Sequence, residues 1–156
     1  MTAKQVLIVD DDDDIRETLG LALLYDGYTV KQAINGRDAL NQLHSGSTSP
    51  AVVVLDMRMP ILDGRGFMAE LRKVPAFAAI QVILCSANPN LADLAAELGV
   101  AAYLAKPAEY LALAALIARL DARAGTAEVS PSVPKEMGRS AMCHTCTGHL
   151  QQAERH

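Results

Sequence analysis

The chain has 156 residues, of which 51% are apolar, and its formal net charge at neutral pH is −4. This length favours one domain with a core large enough to be stable alone, and the negative charge argues against a protein that binds nucleic acid directly through a basic face. No apolar run reaches the length of a membrane span, and residues 1–5 lack the apolar stretch of a signal peptide. We therefore expect a cytoplasmic protein that does not bind a membrane. The three cysteines do not indicate a disulfide framework.

Short apolar runs alternate with helical patterns along most of the chain. Five strands are predicted at residues 5–9, 28–33, 51–55, 81–85 and 101–104. Five helices are predicted at residues 14–25, 36–43, 66–73, 91–98 and 109–124. Continuous apolar strands that alternate with helices indicate a parallel sheet covered on both faces. We therefore expect an α/β fold with a doubly wound, five-stranded parallel sheet.

The pattern changes in residues 125–156, which contain prolines and serines but no periodic apolar face. Such a composition is typical of a linker or tail. We predict one domain at residues 1–124 and a disordered tail at 125–156. Cys143, Cys146 and His149 have the spacing of part of a zinc site, although no second cysteine pair exists to complete it. Zinc binding and redox chemistry are the alternatives to a disordered tail.

Polar residues lie at the ends of four predicted strands: Asp10 and Asp11, Asp56, Ser86, and Lys106. Because the carboxyl ends of parallel strands meet at the edge where such sheets bind ligands, we expect these side chains to converge. Three neighbouring carboxylates repel one another unless a cation joins them, and their hard oxygen atoms favour Mg²⁺ over zinc. A carboxylate beside Mg²⁺ and a fixed lysine can accept a phosphoryl group, because that transfer depends on positioning and charge neutralisation.

Four segments, in this order, resemble the receiver domain of two-component response regulators: VLIVDD (6–11), VVVLDMRMPILDG (52–64), SA (86–87) and YLAKP (103–107). The resemblance implies a flavodoxin-like (βα)5 fold and a signalling phosphoprotein rather than an enzyme. Its partners would be a histidine kinase or a histidine phosphotransfer protein and a downstream protein target. Because the tail is too short for most output domains, we predict a stand-alone receiver. Whether phosphorylation produces a homodimer is left open.

The resemblance also implies roles for the residues that hold the metal and the phosphoryl group. Asp56 would be the phosphoacceptor. Asp11 and Asp56 would ligate Mg²⁺ or Mn²⁺ directly, with Asp10 acting through water and the backbone carbonyl of Arg58 as a further ligand. Lys106 would pair with the phosphoryl oxygens and would precede a cis proline bond.

A second group of residues would respond to phosphorylation, as the resemblance implies. Ser86 would hydrogen-bond the phosphoryl group once it forms, and Tyr103 would repack inward behind it. Arg58 and Asn88 each lie two residues after a site residue, Asp56 or Ser86. In the family, those two positions tune how long the phosphoryl group survives.

Several residues also have a simpler structural interpretation. Asp12 and Asp13 are expected to be solvated loop carboxylates, and Asp14 is expected to cap the first helix. Tyr103 lies in a predicted strand, where a plain core tyrosine is an alternative to a moving switch. Cys85, on a predicted buried strand, is expected to belong to the core.

A small phosphatase of the haloacid dehalogenase type is the alternative function. That family also uses an aspartyl phosphate, Mg²⁺ and a lysine, and the spacing of Asp10 and Asp12 mimics its nucleophile motif, with Asp10 as nucleophile. Against it, Asp14 stands where threonine or valine is usual in that family. No acidic pair follows Lys106 to complete the metal site, and the phosphatase leaves Asp56 unexplained.

Overall fold

The structure, a computed structural model, describes residues 4–125 of the chain. The predicted tail, with Cys143, Cys146 and His149, lies outside the described residues. Among residues 4–125, no helix combines the length and the apolar character that crossing a membrane requires.

Five parallel strands form one sheet in the order β2-β1-β3-β4-β5. The strands are β1 (Gln5–Val9), β2 (Thr29–Ala33), β3 (Val52–Asp56), β4 (Gln81–Ser86) and β5 (Ala102–Ala105). The helices are α1 (Asp13–Tyr25), α2 (Gly36–Ser45), α3 (Gly64–Leu71), α4 (Leu91–Leu98) and α5 (Tyr110–Gly125). A single 3₁₀ turn at Pro75–Phe77, which the sequence patterns did not predict, precedes β4. The predicted α/β fold with a five-stranded parallel sheet is confirmed.

The core lies in two layers, one on each face of the sheet. Alternate residues of β1 face opposite layers: Leu7 and Val9 pack in one, and Val6 and Ile8 in the other. Helices α2, α3 and α4 cover the first layer, and α1 and α5 cover the second. Cys85 is buried in the second layer, which confirms its predicted place in the core.

Tyr103 of β5 is 47% exposed, so the interpretation of this residue as a plain core tyrosine is wrong. It lies on the edge strand of the sheet, opposite Leu84 of β4 in the strand register. An edge strand has a neighbour on one side only, and in this conformation the tyrosine ring is left facing solvent.

The predicted cap of α1 is wrong by two residues. Asp12, not Asp14, is the N-cap: its carboxylate accepts hydrogen bonds from the backbone N–H groups of Asp14 (2.9 Å) and Ile15 (3.2 Å). Asp13 occupies the first helical position and forms an ion pair with Arg16. The prediction that Asp12 and Asp13 are solvated loop carboxylates is therefore wrong, because both side chains have partners at the start of α1.

The strand register aligns the polar ends of the central strands. Asp56, the last residue of β3, pairs with Cys85 of β4, and the next residue of β4, Ser86, pairs with Ala105 of β5. Lys106 follows Ala105 directly. The sheet therefore places an acid, a hydroxyl and an ammonium side by side at its carboxyl edge.

Candidate functional site

Asp10 is 5% exposed and is held on several sides. Its backbone N–H donates to the carbonyl of Ala33 at the end of β2 (3.2 Å). One carboxylate oxygen accepts the backbone N–H of Asp12 (2.9 Å), and the other accepts from Nζ of Lys106 (3.1 Å). These contacts fix the Asp10 carboxylate in place within the site.

Arg16 is a buried charged residue that sequence reasoning missed. Its guanidinium donates to the backbone carbonyl of Asp10 (2.8 Å) and pairs with Asp13, so it ties the first turn of α1 to the end of β1. The available signal was helical spacing: Arg16 lies four and seven residues before Gly20 and Leu23, which are both buried. A charge on the buried face of a helix needs a partner, and Arg16 has two.

Asp56 and Lys106 form the closest ion pair of the site. Nζ of Lys106 lies 2.8 Å from Oδ1 of Asp56, and the Asp56 side chain is 9% exposed. Burial raises the pKa of Asp56 above its usual value, and the negative charges of Asp10 and Asp11 add to this, while the hydrogen bond from Lys106 opposes it. The acid at the centre of the site is therefore held in an environment that disfavours its charged form.

Lys106 is fixed through its backbone as well as its side chain. Its N–H donates to the carbonyl of Ser86 (2.9 Å), and its peptide bond to Pro107 is cis, as the resemblance implied. Burial alone would lower the pKa of Lys106, but the contacts with Asp56 and Asp10 outweigh it and raise the pKa above its usual value. The side chain is therefore a fixed positive charge at neutral pH.

The carboxylates of Asp10, Asp11 and Asp56 form an acidic cluster, since one oxygen atom from each lies within 4.8 Å of the others. Two of the three residues are buried and Asp11 is exposed. A set made of carboxylate oxygens alone suits a hard divalent cation, which would also offset the repulsion between them. The cluster therefore fits Mg²⁺, with Asp11 on the solvent side where an ion would enter.

Ser86, the last residue of β4, and Asn88, two residues after it, lie at the same carboxyl edge of the sheet as this cluster. Ser86 is 6% exposed, and its hydroxyl oxygen accepts the backbone N–H of Asn88 (3.1 Å). The side chain of Asn88 in turn accepts the backbone N–H of Asn90 (2.7 Å) and is exposed. Arg58 is likewise exposed, in the loop after β3. The two predicted tuning residues thus face solvent at the rim of the site.

Gly64 marks the point where the loop after β3 returns to the site. Its N–H donates to the carbonyl of Met57 (2.9 Å), and a Cβ at this position would lie 2.9 Å from the carbonyl oxygen of Asp56. The close approach explains a glycine here. It also fixes the backbone around the central acid.

Cys85 is adjacent to the site in the register but is chemically separate from it. Burial raises the pKa of its thiol to about 12, with the charges of Asp56 and Asp10 adding to the shift and Lys106 opposing it. A thiol with such a pKa is not a nucleophile at neutral pH. Its role is packing.

Residues 6–118 match the family model for the response regulator receiver domain. The chain belongs to this family. The match begins at the second residue of β1, includes β2 through β5 and ends within α5, so it spans residues of both core layers and of the acidic edge.

Curated relatives of this receiver domain are longer than the chain. The transcriptional regulatory protein PrrA of Mycobacterium leprae is 36% identical over 124 residues, which are 78% of this chain and 50% of PrrA. Response regulator MprA of Mycolicibacterium vanbaalenii is 37% identical over 120 residues, 76% of this chain and 49% of MprA. The chain thus spans about half the length of the curated relatives it matches.

Among solved structures, the chain is similar to the receiver domain of a signal transduction histidine kinase from Syntrophus aciditrophicus. That match has a TM-score of 0.70 and 28% identity, and it covers 86% of this chain and 99% of the other. The similarity reaches nearly the full length of that domain, which supports the five-stranded flavodoxin-like assignment.

Proposed function

We propose that this receiver domain accepts a phosphoryl group on Asp56 from the phosphohistidine of a histidine kinase or a histidine phosphotransfer protein. The observation that carries the proposal is the contact of Lys106 with the Asp56 carboxylate inside the acidic cluster. This arrangement places a nucleophilic oxygen beside a fixed cation, at the edge where α/β sheets bind ligands. Catalysis of this kind depends on the chain's own geometry, so the domain assists its own phosphorylation and dephosphorylation but is not an enzyme acting on other molecules.

Each side chain has a distinct task in the proposed transfer. An Oδ atom of Asp56 forms a bond to phosphorus while the bond between phosphorus and the histidine nitrogen of the donor breaks. Asp10, Asp11 and Asp56, with the carbonyl of Arg58, would hold Mg²⁺, which would supply positive charge next to the transferred group. Lys106 neutralises a second part of that charge.

The response to phosphorylation would involve two residues that differ in exposure. Ser86 is buried next to the site and offers a hydroxyl to the new phosphoryl oxygens. Tyr103, which is exposed in this conformation, would turn inward when Ser86 moves. The exchange between these two arrangements would change the surface presented to a downstream protein target. Arg58 and Asn88 at the rim would set how readily water reaches the acyl phosphate.

Labelling with acetyl phosphate and Mg²⁺ tests the phosphoacceptor. The unaltered chain should acquire an acid-stable, base-labile phosphoryl group, and Asp56→Ala should abolish it. The matched control is Asp10→Ala, which removes another acid of the same cluster. It should slow labelling, but the phosphoryl group should still be attached to Asp56. Label that persisted in Asp56→Ala and vanished in Asp10→Ala would instead identify the haloacid dehalogenase-like phosphatase.

The contacts of Asp12 disfavour that phosphatase. The nucleophile motif of the phosphatase would require the carboxylate of Asp12, the second acid after Asp10, to point into the site and take part in the reaction. The Asp12 carboxylate is instead engaged with the N-terminus of α1 through the N–H groups of Asp14 and Ile15.

Metal binding has a test of its own. Millimolar Mg²⁺ or Mn²⁺ should raise the melting temperature by relieving repulsion in the acidic cluster, and Asp11→Asn should reduce that rise. Asp38→Asn is the control, because Asp38 lies in the first turn of α2 and outside the cluster. An equal rise in all three proteins would show that the ion binds elsewhere.

The domain boundary at residue 124, the stand-alone organisation and the cytoplasmic location stay predictions. So do a disordered tail and zinc binding by Cys143, Cys146 and His149. Metal analysis of protein purified without a histidine tag, compared with a Cys143→Ser and Cys146→Ser variant, tests the zinc site directly.

A further inference from the structure

Ile61 adopts a backbone conformation that is unfavourable for its residue type. Its φ is 70°, and among residues 4–125 it is the only non-glycine residue with a positive φ. The carbonyl of Pro60 accepts the N–H of Leu62 at 2.7 Å, which makes Ile61 the central residue of a γ-turn. A β-branched side chain is among the least tolerated at positive φ, whereas glycine or asparagine fits there with less strain.

The domain does not recover this strain by packing the Ile61 side chain. The side chain is 80% exposed and belongs to neither layer of the core. Other residues hold the loop in place: the carbonyl of Leu62 accepts the N–H of Gly36 (2.9 Å), and the Leu62 side chain packs against the core. The loop is therefore held in place without the Ile61 side chain. Since isoleucine at position 61 does not stabilise the isolated domain, we look for its role in contact with another molecule.

The position of Ile61 indicates what kind of molecule it meets. It lies five residues after Asp56 in the loop that leaves the acidic edge. The hydrogen bond from the N–H of Gly36 to the carbonyl of Leu62 joins this loop to the segment after β2, where Ile34 is 52% exposed. A protein that brings a phosphohistidine to the Asp56 carboxylate docks against the edge of the sheet from which these loops leave, whereas a small phosphodonor needs only the site itself.

We propose that Ile61, with Ile34 beside the same joined loops, contacts an apolar recess on the protein that donates the phosphoryl group and so helps select that donor. The inference rests on the proposed function, since it concerns which partner reaches Asp56. The strain at Ile61 is then offset in the complex by burial of its side chain, which an exposed position in the free domain does not provide. The partner is a phosphohistidine protein with an apolar surface next to its histidine.

The test separates a protein donor from a small one. Histidine kinases of the source organism are purified, autophosphorylated with ATP and screened, and the kinase that labels the unaltered chain fastest is used. Ile61→Asn should slow transfer from that kinase by roughly three- to tenfold, leave labelling by acetyl phosphate within about twofold, and raise the melting temperature because asparagine tolerates positive φ. Ile61→Val, which keeps an apolar branched side chain, should retain most of the kinase rate.

Tyr25→Asn is the matched control, because Tyr25 is 92% exposed at the last position of α1, away from the acidic edge. It should not change transfer from the kinase. Equal kinase rates for Ile61→Asn and the unaltered chain would overturn the inference, as would a fall in melting temperature, which would show that Ile61 supports the fold. Failure of the unaltered chain to label with acetyl phosphate would instead overturn the proposed function.

Discussion

The middle of the sheet and its carboxyl edge are both buried, but they are built from opposite chemistry. In the middle, Ile83 and Leu84 are fully buried between apolar side chains, and each such residue stabilises the fold by about 1.5–3 kcal/mol. At the edge, Asp10 and Asp56 are buried and carry like charges close together. The edge is therefore kept in place by the free energy that the middle supplies. Truncating an apolar residue of the middle should destabilise the fold, whereas neutralising Asp56 at the edge should stabilise it.

The largest effect is expected in the apolar layer. Phe67 on α3 is fully buried, so Phe67→Ala should lower the free energy of unfolding by about 3–5 kcal/mol, measured by urea denaturation. Phe77→Ala is the control, because Phe77 is only partly buried against the same layer. An equal loss for the two variants would contradict the assignment of Phe67 to the centre of the core.

The next effect is expected from the cation at the edge. Lys106→Met keeps an apolar stem but leaves the carboxylates of Asp10 and Asp56 without their shared partner. In EDTA at pH 7, the variant should lose about 2–3 kcal/mol of unfolding free energy. Lys73→Met, which breaks an exposed ion pair with Glu70, should change little. A comparable loss in both variants would mean that Lys106 contributes no more than a surface charge.

Unlike the two substitutions above, a substitution of Asp56 is expected to raise the free energy of unfolding. Because the pKa of Asp56 is raised in the fold, ionisation of its carboxyl group at neutral pH opposes folding. This cost develops as the pH rises above 3.8, the ordinary pKa of the group. In EDTA at pH 7, Asp56→Asn should therefore gain about 1–2 kcal/mol of unfolding free energy. The gain should disappear near pH 3, where both states are protonated. A variant that was destabilised at pH 7 would show that the ion pair with Lys106 outweighs desolvation.

The comparison also explains which features could be predicted from sequence. The parallel sheet and the two layers that cover it could be predicted from the apolar runs of β1, β3 and β4 and from the helical spacing between them. Burial of a sheet on both faces leaves few other arrangements. The convergence of Asp10, Asp56 and Lys106 followed from the parallel direction of the strands. Their roles in phosphoryl transfer were taken from the family resemblance and stay predictions.

Features that depend on local backbone geometry were not accessible in the same way. The buried contact of Arg16 with the Asp10 carbonyl needs the exact start of α1, and the positive φ of Ile61 needs the turn between Pro60 and Leu62. The exposure of Tyr103 needs its place on an edge strand. In each case the residue type alone permits several environments, and tertiary structure selects one.

The smallest effect concerns the run of aspartates, where residue type could not distinguish the cap. Asp12 accepts two backbone N–H groups at the start of α1, whereas Asp14 already lies within the helix. Asp12→Ala should therefore lower the free energy of unfolding by about 1 kcal/mol. Asp14→Ala should lower it by only a few tenths, roughly what a charge near a helix N-terminus contributes. Urea denaturation in EDTA separates the two values without interference from metal binding. The reverse order would return the cap to Asp14 and move the start of α1 away from the carbonyl of Asp10, which Arg16 now holds.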